Sequence, residues 1–565
     1  MRTINIGGQD FAVIRENNYF YVDKTEFIRE WWEAGDSVTL ITRPRRFGKT
    51  LNMNMLEYFF SDKWSGRADL FEGLNIWNYP EYRALQGTQP VIFLTFADVK
   101  SNNFAGVITA IKDNISRLYR DRRELLKSDK LNSQEKDLFE RSMDPRMPDV
   151  TVETAVRTLM EFMSRVNDGK KVIVLLDEYD TPMQEAYVYG YWDEVVDLFR
   201  SIFNSTFKTN PFLSRAIMTG ITRVSKESIF SDLNNLRVVT TTSDVYSTAF
   251  GFTEEETFAA LDEMNIPEKK SDVKAWYDGF TFGTTPDMYN PWSIINYLDN
   301  KKLYPYWANT SSNSLVSKLI REGSPEIKTA MEDLLAGKYL VSTIDEQIVF
   351  SQLNKTKGSI WSLLLASGYL KIIKATAEYS GDGDSLPEYT LALTNTEVRV
   401  MFEKLISGWF ENDSLRYNDF IKALMLDDVR YMNRFMNSIS ENIFSSFDTG
   451  NRPSQRSEPE RFYHGFVLGL IVDLKDRYVI TSNRESGFGR YDVMLEPKGT
   501  SDPAFVFEFK VHDDYDESEL SDTVAAALKQ IEEKDYDSVL VSRGISRDRI
   551  RHYGFAFEGK KVLIG

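Results

Sequence analysis

Four short apolar runs constrain this chain most: residues 37–42 (SVTLIT), 91–96 (VIFLTF), 172–176 (VIVLL) and 215–219 (RAIMT). Each is continuous in apolar residues rather than alternating, the pattern of strands buried on both faces of a parallel sheet. Helical patterns lie between them, for example over residues 107–126 and 154–166. Parallel neighbours need long crossovers, so strand–helix alternation predicts an α/β fold: a doubly wound parallel sheet with helices on both faces.

The texture changes after about residue 246. Thr253 stands before three glutamates, a helix start with a hydroxyl cap and acids at the positive end. From there to about residue 430 the pattern is mostly helical, with an aromatic-rich loop over residues 276–292. Residues 448–460 (DTGNRPSQRSEPE) read as an exposed loop, and the remainder as a compact α/β domain. With 565 residues, roughly two to four domains are expected. The boundaries read as 1–245 for a nucleotide-type domain, 246–310 for a lid, 311–439 for a helical connector and 440–565 for the last domain.

Residues 43–50 (RPRRFGKT) follow the first strand and precede a helix. Backbone N–H groups at a helix N-terminus, with its dipole, bind phosphate. Arg45, Arg46, Phe47, Gly48, Lys49 and Thr50 would then cradle a nucleotide, Lys49 reaching the terminal phosphates and Thr50 holding Mg²⁺. The usual first glycine is replaced by Arg43. The third strand ends in Asp177 and Glu178: Asp177 can bind Mg²⁺, and Glu178 can polarise an attacking water. The fourth strand runs into Thr219, Thr222 and Arg223. The threonines are candidates for sensing the γ-phosphate. Arg223 is a candidate for stabilising charge, with a merely solvated arginine as the alternative. Asp180 reads either as a support for the site or as a cap on the next turn.

Toward the C-terminus, Asp492 ends the run GFGRYD, and Glu508 and Lys510 lie two apart in AFVFEFKV. Strand periodicity puts Glu508 and Lys510 on one face, and Phe505, Phe507, Phe509 and Val511 on the other, against a core. Two strands joined by a turn would bring Asp492 to Glu508. Paired carboxylates suit an oxygen-ligated Mg²⁺, with Lys510 orienting water or offsetting charge. A solvent-facing Glu–Lys pair is the bland alternative. Glu460 could join the metal, and Gln530 falls on a following helix that could pack beside the strands. The acids of residues 513–519 read as a solvated helix start.

The runs YVDKT (21–25), RPRRFGKT (43–50), DEYD (177–180) and GITR (220–223), with WYDGF (276–280) and YNP (289–291), resemble the bacterial AAA-ATPase-like family over roughly residues 1–310. The family consists of P-loop proteins in which the Arg-Pro-Arg-Arg form of the loop is usual. The tail, about residues 440–565, resembles the PD-(D/E)XK nuclease superfamily, in the branch fused behind these ATPases. It does so through Glu460, Tyr463-His464, residues 482–487 and 489–492, Glu508-Phe509-Lys510 and Gln530. Tyr491 stands where that superfamily has proline. This resemblance implies a restriction-endonuclease-like α/β domain in which Asp492, Glu508 and Lys510 are catalytic and Glu460 and Gln530 support them. His464 is either part of that machinery or a packed core histidine.

The absence of cysteine excludes disulfide scaffolds, zinc ribbons and thiolate nucleophiles, and three histidines exclude a His-rich metal centre. A hydrophobic fraction of 42% with 27% charged residues argues against extended disorder. The formal charge of −17 disfavours indiscriminate nucleic-acid binding but allows a local basic cleft. No run approaches the roughly 18 apolar residues of a membrane span, and the N-terminus has no signal-type apolar core, so a cytoplasmic protein without a membrane partner is expected. The expectation is an ATP- and Mg²⁺-binding hydrolase coupled to a Mg²⁺-dependent nuclease acting on nucleic acid, DNA in the first instance. A homo-oligomer is left open. The alternative is an ATP-switched binding or signalling module whose nuclease-like domain is inactive.

Overall fold

A computed structural model describes residues 2–222, 230, 233–308, 316, 319–320, 325–335, 337–345, 357–376, 388–408, 417–443, 464, 466–471, 474–475, 477–486, 489–499, 502–513, 517–559 and 561–565. Side chains 483–491 lie outside that description. So do Glu460, Arg223 and the loop expected over 448–460. The chain divides into two compact units: residues 1–315 with 341–398, and residues 316–340 with 399–565.

The first unit is built on β1 (Val38–Thr42), β2 (Val91–Thr95), β3 (Val172–Asp177), β4 (Leu213–Gly220) and β5 (Leu236–Val239). They form a parallel sheet in the order β2-β3-β4-β1-β5. β1 and β3 are buried along their whole length, as their unbroken apolar runs require. The expected strands match these elements to within a few residues. β5 was not expected, because its four residues are mostly half-buried at an edge and carry little pattern.

The flanking helices follow from capping and spacing. Asn103 accepts a hydrogen bond from the Gly106 N–H at 2.9 Å, starting Phe104–Asp121, whose Val107, Ile111, Ile115 and Tyr119 share the buried stripe. Asp149–Val166 buries Val152, Val156, Leu159 and Met163 at the same spacing. Thr253 and Glu256 form a reciprocal capping box on Glu254–Glu263, as the sequence predicts.

The stretch read as helical is less uniform than expected. The aromatic loop contains a hairpin, β6 (Phe280–Phe282) and β7 (Thr285–Met288), turning through Gly283 at φ +57°. The connector region holds a three-stranded sheet of β8 (Leu340–Thr343), β9 (Leu370–Thr376) and β10 (Glu388–Leu393), in the order β8-β10-β9. These strands are short and mostly exposed or half-buried, so neither the two-residue nor the 3.6-residue period is clean.

The second unit carries β11 (Tyr478–Ser486), β12 (Gly489–Pro497), β13 (Ala504–Val511), β14 (Ile550–Glu558) and β15 (Lys561–Ile564), ordered β11-β12-β13-β14-β15. Only β13–β14 is parallel; the others are antiparallel. The crossover between those two strands contains the helices Leu520–Glu533 and Asp537–Ser542. One sheet face packs Val493, Leu495, Phe505, Phe507 and Phe509 against Phe420, Phe435 and Leu470. The other packs Met494, Ala504 and Val506 against Ile531, Tyr536 and Leu540.

Candidate nucleotide site and candidate metal site

The parallel register aligns strand tips, and the loop after β1 lies at the same end as Asp177. β4 sits between β1 and β3, so the two halves of the site must reach across one strand. They do: the Thr50 hydroxyl donates to Asp177 Oδ2 at 2.7 Å. The hydroxyl of Thr219, on the intervening strand, donates to Asp177 Oδ1. Burial pushes the Asp177 carboxyl above its usual range, against these two hydroxyls. The resulting donor set is all oxygen, which fits a hard divalent ion.

Gly48 begins the Lys49–Phe60 helix at φ +81°, and Arg46 is also left-handed at φ +65°. Lys49 is buried, and its Nζ donates to the carbonyls of Arg43 at 2.9 Å and Pro44 at 2.8 Å. Burial pushes its pKa down, while Glu178, Asp177 and Asp180 oppose that shift. Arg43 stands where the loop usually has glycine, and its side chain is fully buried beneath Phe282, 4.4 Å from the ring. It donates to the carbonyls of Thr42 and Thr240. Burial pushes it down to about 9. Phe47 is buried edge-on against Phe280 and Phe282, anchoring the loop to the hairpin. Arg45 donates to Gln184 at 3.2 Å, and exposed Arg46 lies over the Trp292 ring at 4.4 Å.

Glu178 adopts φ +53° directly after β3, an uncommon conformation for a glutamate. Its carboxylate accepts from the Thr181 hydroxyl at 3.2 Å. Asp180 is buried and accepts four hydrogen bonds: from Ile221 N, Thr222 N, the Thr222 hydroxyl and Gln184 Nε2, all at 2.9–3.0 Å. Asp180 is therefore a brace between the β3 and β4 tips, and it engages the Thr222 hydroxyl expected to face phosphate. Gly220 allows this approach. A Cβ there would lie 2.6 Å from the Tyr179 ring and 2.8 Å from Asp180 Oδ1. Asp180→Ala leaves these four donors without their acceptor, at about 1 kcal/mol each for those that stay buried. A loss of about 2–4 kcal/mol in urea unfolding of the first unit is expected, and Asp180→Asn should recover part of it.

The YVDKT run, whose role the sequence left open, is a clamp. Asp23 accepts from Thr25 N and Asn75 N, at 2.9 and 2.7 Å. Lys24, 9% exposed, donates to Glu256 Oε2 at 2.7 Å and to the Thr248 carbonyl at 2.7 Å. Removing Glu256 leaves a buried ammonium. Glu256→Ala is expected to cost about 2–4 kcal/mol, and Lys24→Met combined with Glu256→Leu much less, by thermal denaturation of the two variants.

In the second unit, Val493 pairs with Phe507, so continuing the register sets Asp492 opposite Glu508. The Phe509 N–H donates to Asp492 Oδ2 at 2.8 Å. Gln530 from the crossover helix joins the other two groups. Its amide NH₂ donates to Glu508, and its carbonyl accepts from Lys510 Nζ at 2.7 Å. The structure thus gathers Asp492, Glu508, Lys510 and Gln530 at the polar end of a face whose other end is apolar. The helix Leu520–Glu533 packs on that face and partly covers it. Glu508 is buried and Lys510 half-buried. Burial pushes Asp492 up to about 6, against the Phe509 N–H and Lys510.

His464 Nε2 lies 3.1 Å from the Asp492 carbonyl oxygen and 3.1 Å from the Ser482 hydroxyl. A carbonyl only accepts, so Nε2 carries the proton. Burial lowers the pKa to about 4 and keeps the ring neutral. His464 is a packed pin on the Asp492 backbone. Among the described residues, Glu254, Asp278 and Asp287 also converge within 4.8 Å, with Lys274 bonded to Glu254. The sequence reading did not single out this group, because its members are far apart in the chain.

Residues 5–230 match the family model AAA-ATPase-like, "Predicted AAA-ATPase", and residues 458–565 match the PD-(D/E)XK nuclease superfamily. The chain therefore carries an AAA-ATPase-like domain and, at its C-terminal end, a domain of the PD-(D/E)XK nuclease superfamily. It is similar to an "Uncharacterized protein in vnfD 5'region" of Azotobacter chroococcum mcd 1, 27% identical over 591 residues and spanning 99% of each chain. Among the described residues, no helix is long and apolar enough to cross a membrane.

Proposed function

We propose that this protein binds and hydrolyses ATP in its first unit and cleaves phosphodiester bonds of nucleic acid in its second. The observation that carries the reading is the Thr50–Asp177 hydrogen bond, which joins the first turn of the helix after β1 to the tip of β3, 127 residues apart. Lys49 and the N–H groups of residues 45–50 would hold the phosphates. Glu178, turned by its left-handed backbone, would take the proton of an attacking water. Thr50 and Asp177 would hold Mg²⁺, and Thr219 keeps the Asp177 carboxylate oriented.

In the second unit Asp492 and Glu508 would hold a divalent ion, with Glu460, outside the described residues, as a further candidate. The fit lies in chemistry: oxygen donors, and a half-buried aspartate whose charge waits for a cation. Such an ion supplies charge neutralisation at phosphate and a more acidic water. Gln530 fixes the Glu508 carboxylate and the Lys510 ammonium relative to each other. Lys510 would place positive charge beside the scissile phosphate. DNA is the substrate of first choice, and the site belongs in the cytoplasm with the cell's ATP.

The test is nicking of supercoiled plasmid by the full chain with Mg²⁺ or Mn²⁺, with and without ATP. Metal-dependent nicking that survives in wild type and vanishes in Asp492→Ala supports the reading. Nucleic-acid binding without cleavage under every metal and nucleotide condition would instead favour an inactive, ATP-switched module.

A further inference from the structure

Three arginines crowd the phosphate-binding loop, and the fold treats each differently. Arg43 is buried beneath Phe282 and bonded to backbone carbonyls. Arg46 is exposed and lies over Trp292. Arg45 is half-buried and donates to Gln184 Oε1 at 3.2 Å. Gln184 has no part in the chemistry assigned so far. Resting on the nucleotide reading above, we infer that Gln184 is a positioning residue that aims Arg45 at the γ-phosphate. Each chain then carries in cis the arginine that stabilises charge during ATP hydrolysis, and needs none from a second copy.

The helix Thr181–Tyr189 begins directly after Asp180. Its first residue, Thr181, donates to the Glu178 carboxylate at 3.2 Å. Gln184 stands three residues on, so it shares a helical face with Thr181, their Cβ atoms about 5–6 Å apart. One helical turn therefore holds both the glutamate assigned to the attacking water and Arg45. The two ends of the Gln184 amide cannot be exchanged. The Asp180 carboxylate only accepts, so Nε2 turns to it, at 3.0 Å. A guanidinium only donates, so Oε1 turns to Arg45. Asp180 is itself fixed by Ile221 and Thr222. Arg45 thus hangs on the same brace that joins the β3 and β4 tips.

Charge points the same way. Burial lowers the Lys49 pKa most, Glu178, Asp177 and Asp180 oppose that, and the Arg45 charge adds to the lowering. Arg45 and Lys49 therefore act in one field, where two cations favour an anion beside them. In hydrolysis the water oxygen bonds the γ-phosphorus as the bond to the β–γ bridging oxygen breaks. Glu178 takes the water proton. The bridging oxygen keeps the bonding electron pair and leaves with ADP. Charge in that step is spread over the γ-oxygens and the bridging oxygen. A planar guanidinium can meet two such oxygens at once, a geometry that an ammonium lacks.

The experiment is steady-state hydrolysis of ATP by the full chain with Mg²⁺, for wild type, Arg45→Ala, Gln184→Ala, the double variant and Lys49→Ala. Arg45→Ala should lower kcat by about a hundred- to a thousandfold, with KM within about threefold of wild type. Gln184→Ala should lower kcat by about ten- to a hundredfold, again at nearly constant KM. In the Arg45→Ala background the Gln184 change should alter kcat by less than about twofold, because its route to the reaction is already gone. A glutamine that only supports the fold would add its own loss there, and that additivity overturns the inference. An Arg45→Ala chain with unchanged kcat overturns it too, and leaves the phosphate site standing. Mixed Arg45→Ala and Lys49→Ala chains should show no more than the sum of their separate rates. A rate above that sum means that a second copy lends its arginine, and it overturns the cis assignment. Wild type that hydrolyses no ATP, or hydrolysis indifferent to Lys49→Ala, sinks the nucleotide reading and this inference together.

Discussion

Replacing Lys49 with alanine should weaken MgATP binding by about a hundred- to a thousandfold, as measured by titration of the full chain. The ammonium is buried and, among the described residues, bonded to the loop carbonyls of Arg43 and Pro44. A terminal phosphate offers a stronger, charged acceptor in the same place. Losing two charge-assisted bonds at the lower end of their range, about 1.5–2 kcal/mol each, gives the expected magnitude. The fold should tolerate the change, because burial already opposes the Lys49 charge. The thermal midpoint of the nucleotide-free variant is thus expected to stay close to wild type. A variant that binds ATP normally would remove Lys49 from the site.

Asp492→Asn is the second large effect, and its two readouts should move in opposite directions. Metal-dependent cleavage should fall by about a thousandfold or more, since asparagine cannot supply the anionic ligand. Metal-free stability of the second unit at pH 7 should rise by about 1–2 kcal/mol. The sign follows from burial, which raises the folded-state carboxyl to about 6. Its stabilising contribution is complete below the unfolded value near 4 and is lost as pH rises through about 6. At neutral pH the ionised group therefore works against the metal-free fold. Asparagine keeps the hydrogen bond from the Phe509 N–H and carries no charge. The stability difference between wild type and Asp492→Asn, compared at about pH 4.5 and pH 7.5 by urea unfolding, isolates this group. A difference that does not change with pH would contradict the burial of Asp492. In wild type, metal affinity should climb as pH rises through about 6, because the ligand form is the deprotonated one.

Much of the frame was legible because burial writes itself into strands. β1 and β3 are enclosed on both faces, so their residues are mostly apolar, and the places of Asp177 at the end of β3 and of Thr50 in the helix after β1 followed. Glu508 and Lys510 were readable from the alternation of Phe505, Phe507 and Phe509 around them. The hairpin β6–β7 and the sheet β8-β10-β9 were not, because half-exposed strands need no clean period. Other roles depend on partners distant in sequence. Arg43 looked like a defect in a glycine-led loop until its side chain was seen passing beneath the loop to the Thr240 carbonyl. Asp23 and Lys24 formed a motif without a purpose until Glu256 and Asn75 appeared beside them.

Asp180 can grip the strip after β4 only because position 220 has no side chain. One methyl group there would drive a wedge between the two strand tips, since Tyr179 and Asp180 already occupy its volume. The Thr219 hydroxyl, one residue away, would be carried off with the strip, and the Asp177 carboxylate would lose one of its two guides. A narrow tolerance in the candidate nucleotide site thus belongs to a residue defined by what it lacks. A chain altered only at Gly220 should keep its fold and misplace Asp177.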